Sequence, residues 1–375
     1  MDCPVKTKAS YTFEGRHMKK YPQLVIPLLI VAACSSGDRK TLTAPDAGAS
    51  SARQTGPSIS VTSLPSLGGL STARAINDAQ VIVGTSNGLP VKWTLAVSGQ
   101  WGVEALQLTS GQAEDITESG VIVGSSAGSV ILWSPGAAPE TIGAGVAAAI
   151  NESEVVVGED NSAADGNGAR AWTRSGTGWV AHVLPREAGF TGGYQAPEDI
   201  NDGGVIVGYA ADAGSAGTRP VKWVPSVTMP GEWDAAVPLD DVAAANLGGA
   251  NAIVGQDIVG EILRCFPPCA SPTRDPYHWS LTTGQGIGSL GTQDAWAEGL
   301  NAQRSIVGSF NYRGTHAFVW TPANPTIRDL GAPNGYQSAS AYDINSPQGT
   351  RTASQAVGEA TSRNGKRTAV LWTVP

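Results

Sequence analysis

Residues 196–223 read APEDINDGGVIVGYAADAGSAGTRPVKW, and the fold turns on this stretch. Ile200 leads into Asn201, Asp202, Gly203 and Gly204, residues that tolerate positive φ, and then into Val205, Ile206 and Val207, a β-branched run ending at Gly208. That order predicts strand, tight turn, strand. After a loop holding Asp212, Gly214, Ser215 and Gly217, residues 219–223 are extended again, with Pro220 suited to a strand start. Residues 233–239 supply a fourth strand. Four short antiparallel strands in about 45 residues form one propeller blade, a unit too small to bury its own faces.

The same beat returns along the chain. Asn77 precedes Gly84 by seven residues, as Thr117 does Gly124, Asn151 Gly158, Asn201 Gly208 and Asn301 Gly308; Asn246 with Gly255 and Asn345 with Gly358 are looser copies. Each copy closes its third strand on a tryptophan: Trp93, Trp133, Trp172, Trp223, Trp279, Trp320 and Trp372. The spacing of these tryptophans runs from 39 to 56 residues, which loops of varied length accommodate and fixed solenoid rungs do not. Small residues such as Ala73, Ala75, Ala113, Ala147, Ala149, Ala243, Ala245, Ala297, Gly299 and Ala341 precede the turns, placing the first strand of each unit nearest the axis. The expectation is an all-β, seven-bladed β-propeller of four-stranded antiparallel blades over residues 58–375. Residues 59–64 form a lone strand before the first unit, and the last unit stops after its third strand, so the N-terminal strand is expected to close the ring.

The copy at 297–320, with EGLNAQRSIVGS and then His316, Ala317, Phe318, Val319 and Trp320, resembles the bacterial extracellular HAF repeat. Only this copy carries the literal triplet; the Asn, VIVG and Trp framework makes the stronger match. The resemblance spans about residues 59–375 and implies a secreted or surface-exposed propeller-like repeat protein. It carries no catalytic residues to transfer.

Of 375 residues, 47 are Gly and 24 Pro, which suits many turns and little helix. The formal charge is −8, from 24 Lys and Arg against 32 Asp and Glu, and no basic runs occur. Nucleic acid is therefore not an expected partner. Met18-Lys19-Lys20 marks the expected true start. The apolar run 24–33 is too short to span a bilayer, and residues 1–33 are expected to be a signal peptide. Val31-Ala32-Ala33-Cys34 resembles the bacterial lipobox, which implies lipidation of Cys34 and anchoring in the membrane; Ser35 implies outer-membrane delivery, with the domain periplasmic or surface-exposed. Residues 34–57 are small and polar and read as a flexible tether.

Cys265 and Cys269, in RCFPPCASPTRDP, are expected to form a local disulfide, with a metal pair assisted by His278 as the other reading. Residues 159–168 hold carboxylates and amides without EF-hand spacing, so a solvated loop is expected over a calcium site. Glu114-Asp115 and Glu198-Asp199, echoed by Glu298 and Asp343, recur at equivalent places and so serve the blades rather than catalysis. The Asn residues read as turn formers, or else as a ring of amides for a ligand. No catalytic residue, cofactor or resident metal is expected, and the protein is expected to be a monomer.

The second-to-third-strand loops and the connections between blades share one face of a propeller. Phe190, Tyr194, Trp296, Phe310, Tyr312, Arg313 and Tyr336 lie in or beside these segments and are the candidate ligand-binding residues. Aromatic faces with polar neighbours suit a glycan or an envelope protein, although the same rings are equally suited to packing the loops down. The functional expectation is a lipid-anchored binding or scaffolding module of the cell envelope, with an envelope enzyme acting on polysaccharide as the alternative.

Overall fold

In the computed structural model every repeat is a four-stranded antiparallel sheet. The structure describes residues 58–160, 167–190, 192–213, 217–239, 247–264, 273–281, 286–289 and 294–375. The segments expected to be a signal peptide (1–33) and a tether (34–57) with Cys34, together with Cys265 and Cys269, Asn246, and the middle of the 159–168 loop, lie outside the described residues. Blade 1 runs Ser71–Ile76, Ile82–Ser86, Leu89–Leu95 and Trp101–Ala105, hydrogen-bonded in that order. Blades 2 to 6 span 112–144, 146–183, 194–238, 247–289 and 295–329 with the same order. Blade 7 takes Tyr336–Ile344, Ser354–Ser362 and Arg367–Val374, and its outer strand is Ser60–Ser63, with Val61 opposite Trp372. The chain is an all-β, seven-bladed propeller whose N-terminal strand completes the last blade. The first strand of each blade touches the first strands of both neighbours, so these strands surround the axis. No helix occurs among the described residues.

The glycine of VIVG does not end its strand, contrary to expectation. In blade 4 the second strand is Ile206–Ala211, and Gly208 sits inside it opposite Pro197. The first strand bulges at this point, where the register shifts between Pro197 and Asp199. The bulge drives the Ala196 carbonyl onto Gly208, leaving no space for a Cβ. Gly84, Gly124, Gly158, Gly260, Gly308 and Gly358 face a carbonyl in the same way. What selects glycine here is close backbone approach at a β-bulge.

The tryptophans form the joints. Trp93, Trp172, Trp223, Trp279 and Trp372 are essentially inaccessible to solvent, and each lies opposite the second residue of its VIVG run, as Trp223 does Ile206. The indole N–H reaches back to the preceding blade: Trp93 donates to the Pro65 carbonyl at 2.7 Å, Trp133 to Leu106 at 2.8 Å, Trp223 to Pro185 at 2.9 Å and Trp372 to Gly331 at 2.9 Å. The apolar core is correspondingly divided into seven clusters, one at each junction of adjacent blades. Each buried indole removes roughly 150–250 Å² from water, and at these joints that burial unites two sheets that have no hydrogen-bonded edge in common.

Two boundaries differ from the sequence reading. In blade 4 the fourth strand is only Val237–Pro238, because residues 224–236 make an excursion that returns Trp233 to a bridge with Pro225. In blade 5 the first strand is Leu247–Val254, so Asn246, Ala243 and Ala245 are not its turn and axis residues. Ala250 and Ala252 take the small-residue places, Gly260 is the close-approach glycine, and Gly255 stands where the other blades have Asn. A two-residue turn between Val254 and Asp257 replaces the longer Asn turn, which shifts the beat.

Candidate functional site

The turn end of the propeller shows how the recurring polar residues are used. Asn201 Oδ1 accepts the Val205 amide N–H at 2.9 Å, capping its own turn, while Nδ2 donates to the Gly255 carbonyl of blade 5 at 2.8 Å. Asn77, Asn151, Asn301 and Asn345 likewise donate to the following blade, at Thr117, Asn201, Asn345 and Asn77. Thr117 caps its turn through Oγ1 but has no amide to donate. There Asp115 supplies the link, accepting the Ile150 amide of blade 3 at 2.9 Å. Asp199 and Asp343 accept the corresponding amides of Ile253 and Ile76. Blade 5 reaches blade 6 through Asn251, which donates to the Ala297 carbonyl at 2.8 Å. All seven junctions therefore carry a side-chain weld, and Asp115, Asp199 and Asp343 belong to it.

Further along the axis lies a buried polar layer built from the bulge residues and those that follow the close-approach glycines. Arg74 stands 3.6 Å from Glu114 of blade 2 and 5.0 Å from the ring centre of Tyr342 of blade 7. Thr72 donates to Glu359 at 2.7 Å, Tyr194 to Glu159 at 2.7 Å, and Asn251 to Glu261 at 2.8 Å. Burial raises Asp115 to about 8, reinforced by the charges of Asp199 and Asp343 and opposed by the two amides it accepts. Burial likewise raises Glu159 to about 7 against the Tyr194 hydrogen bond, and Glu261 to about 7 with a further push from Glu298. The Tyr194 and Tyr209 hydroxyls are held well above the phenol range, by burial first. These groups belong to blades 2, 3, 4 and 5, and Glu198, Glu159 and Glu261 all act on the Tyr209 hydroxyl. Among the described residues no group of three or more His, Cys, Asp or Glu side chains is placed to hold a metal ion.

The described ends of the 159–168 loop are engaged in the scaffold: Glu159 takes the Tyr194 hydroxyl, and Asn167 binds the Leu184 carbonyl and Gln195. His278 is buried in blade 5, 2.8 Å from Asp257, and burial lowers its pKa.

The seven aromatic and basic candidates separate between blades. Phe190 is half-buried at the junction of blades 3 and 4, under the Arg219 guanidinium at 4.6 Å, and Tyr194 packs 5.9 Å from Tyr209. Tyr336 sits at the start of blade 7 and donates to Thr368 at 3.0 Å. The other four belong to blade 6. Phe310 is buried and stacks on His316, while Trp296 is half-buried with Arg274 5.2 Å from its ring. Tyr312 is 54% exposed at the tip of the second hairpin, with Arg313 5.7 Å from its ring centre. Beside them Asn311 donates to Asp294 at 2.8 Å. The surface thus formed, with Trp296, Arg274, Asp294, Asn311, Tyr312 and Arg313, pairs one exposed and one half-buried aromatic ring with charged groups of both signs.

No protein-family model and no curated protein matches the sequence. Among solved structures, the chain is similar to a puromycin-hydrolyzing peptidase of Mycobacterium tuberculosis, 13% identical over 80% of this chain and 50% of that one, with a TM-score of 0.49. It is similar also to virginiamycin B lyase from Staphylococcus aureus, 9% identical over 85% of this chain and 100% of that one, TM-score 0.48. The WD40 β-propeller domain of Doa1 is 9% identical over 83% of this chain and 95% of that one, TM-score 0.45.

Proposed function

We propose that the chain is a lipid-anchored HAF-repeat protein of the bacterial cell envelope, acting as a binding or scaffolding module for a glycan or a protein. One observation carries the binding reading. Asp115, Asp199, Asp343 and the turn amides are engaged in blade-to-blade bonds, whereas the exposed Tyr312 ring, with Arg313 beside it, is found at the tip of this hairpin alone. The burial-shifted carboxyls of Asp115, Glu159 and Glu261 accept scaffold hydrogen bonds from Ile150, Tyr194 and Asn251. The anchoring reading rests on Val31-Ala32-Ala33-Cys34. A single acyl chain binds a membrane only marginally, and the lipobox modification supplies more than one.

A glycan array and capture from native envelope, run with the wild type and with a Trp296→Ala, Tyr312→Ala, Arg313→Ala triple variant, test the blade 6 surface. Ligands retained by the wild type are expected to be lost by the variant; undiminished retention of every ligand rules this surface out. Metabolic palmitate labelling that disappears in Cys34→Ala is the expected result for the anchor, and labelling that persists removes it.

A further inference from the structure

A cleft of 530 Å³ opens between blades 1 and 2. Lys92, Thr94, Glu104 and Leu106 of blade 1 and Trp133 and Pro135 of blade 2 form its walls. At neighbouring junctions the chain fills the corresponding place with a ring of its own. Between blades 2 and 3 that ring is Trp179, packed on the cluster of Val121, Leu132 and Ile142, with its indole N–H donating to Glu140 at 2.9 Å. Arg174, from the same hairpin, covers the indole at 4.5 Å and pairs with Glu140 at 3.2 Å. Between blades 3 and 4 it is Trp233, packed with Ala171 and Leu184 and donating to the Gly204 carbonyl at 2.8 Å. Glu232 beside it meets His182 at 2.9 Å. Trp101, which holds the register position of Trp179, packs with Leu64 and Leu371 between blades 7 and 1.

Strand register identifies the matching wall residue. Glu140 lies opposite Leu132, His182 opposite Ala171 and Glu104 opposite Lys92, each partner being the residue just before a joint tryptophan. A filled junction therefore combines an indole with a side chain complementary to that wall residue: Arg174 for Glu140, Glu232 for His182. Between blades 1 and 2 the hairpin reads Ser134-Pro135-Gly136-Ala137-Ala138-Pro139 and offers neither. Glu104 is left 69% exposed, held only by Lys92 at 3.4 Å on its own sheet, an ion pair too solvated to hold it firmly. The cleft lies within the ~300–1,000 Å³ span of ligand pockets.

We propose that this cleft is a docking slot for a β-hairpin of another protein that presents a tryptophan opposite an arginine across its two strands. The indole enters between the blades and the guanidinium meets Glu104, as Trp179 and Arg174 do at the next junction. The chain's acidic balance, −8 overall, favours a basic partner segment. The slot is separate from the blade 6 surface, and neither requires the other.

The test uses the full-length protein and, as probe, a fluorescein-labelled peptide copying residues 173–180, TRSGTGWV. Fluorescence anisotropy is expected to show saturable binding, weakened at least about tenfold by Arg174→Glu or Trp179→Ala in the peptide and by Glu104→Lys in the protein. The Arg174→Glu peptide is expected to regain affinity for the Glu104→Lys protein, which a folding defect does not produce. Ala137→Trp, placing a ring at the register position of Trp179 and Trp101, is expected to block the peptide without lowering the thermal midpoint. Absence of saturable binding, equal affinity for wild-type and Glu104→Lys protein, or binding unchanged by Ala137→Trp overturns the proposal. So does self-association abolished by Glu104→Lys, which assigns the slot to a second copy of the chain. Unchanged peptide binding by the Trp296→Ala, Tyr312→Ala, Arg313→Ala variant is expected, so the two surfaces stand or fall separately.

Discussion

Asn201 serves two functions with one side chain, capping its turn through Oδ1 and joining the next blade through Nδ2. Asn201→Ala leaves both partner groups unsatisfied at a largely buried site and is expected to cost about 2–4 kcal/mol in urea unfolding. Asn201→Asp keeps the cap and loses the donor, so about half of that cost is expected to remain. A substitution cost equal to that of an exposed loop residue counts against the weld. At the axis, Glu159, Glu261 and Asp115 have folded pKa values raised to about 7, about 7 and about 8 from 4.5, 4.5 and 3.8. The folded state therefore binds more protons than the unfolded one. The associated stability is fully present below about pH 4 and is lost as pH rises through about 7 to 8. Thermal midpoints are expected to fall between about pH 5 and about pH 8.5, with a smaller fall in Glu261→Gln. A rise over that window, or an unchanged slope in the Gln variant, contradicts the assignment.

At the level of one blade, the bulge and its glycine form a single device. Gly208→Ala forces a methyl against the Ala196 carbonyl and is expected to cost about 2–3 kcal/mol. Gly178→Ala, on an outer strand with open space, is expected to stay within about 0.5 kcal/mol. Equal effects in paired melts dismiss the close-approach account. Trp223→Ala removes a fully buried joint and a hydrogen bond to Pro185, with an expected cost of about 3–5 kcal/mol. Most of a blade is legible in one copy of the sequence: the β-branched run, the turn chemistry and the closing tryptophan are local signals. The bulge is not, because alternation on either side of Glu198 is interrupted by a residue whose placement depends on the neighbouring strand. For the same reason the fifth repeat misleads, since a two-residue turn at Gly255 moves the beat without changing the sheet.

Across the molecule, closure is made twice at the junction of blades 7 and 1. The outer strand Ser60–Ser63 pairs with Arg367–Val374, and the inner groups Asn345, Asp343 and Glu359 bind Asn77, Ile76 and Thr72. Deleting residues 58–65 removes the outer pairing, the buried Leu64 and the acceptor for Trp93. A loss of at least about 3 kcal/mol is expected, whereas deleting residues 35–50 is expected to leave the denaturation midpoint unchanged. Coincident midpoints for the two deletions refute closure by the outer strand.

The number of blades, their order and the role of seven tryptophans follow from the sequence by itself, because strand alternation, turn residues and a repeated period are local properties that no partner is needed to express. The tertiary structure alone decided what binds blade to blade. Asn77 and Thr117 become neighbours only when blades 1 and 2 pack together, and Asp343 and Ile76, far apart along the chain, only when the ring is closed. It also decided which junctions are filled: a slot remains between blades 1 and 2 because one hairpin carries Pro135 and Ala137 where the next carries Arg174 and Trp179, and that slot exists only when both sheets stand side by side.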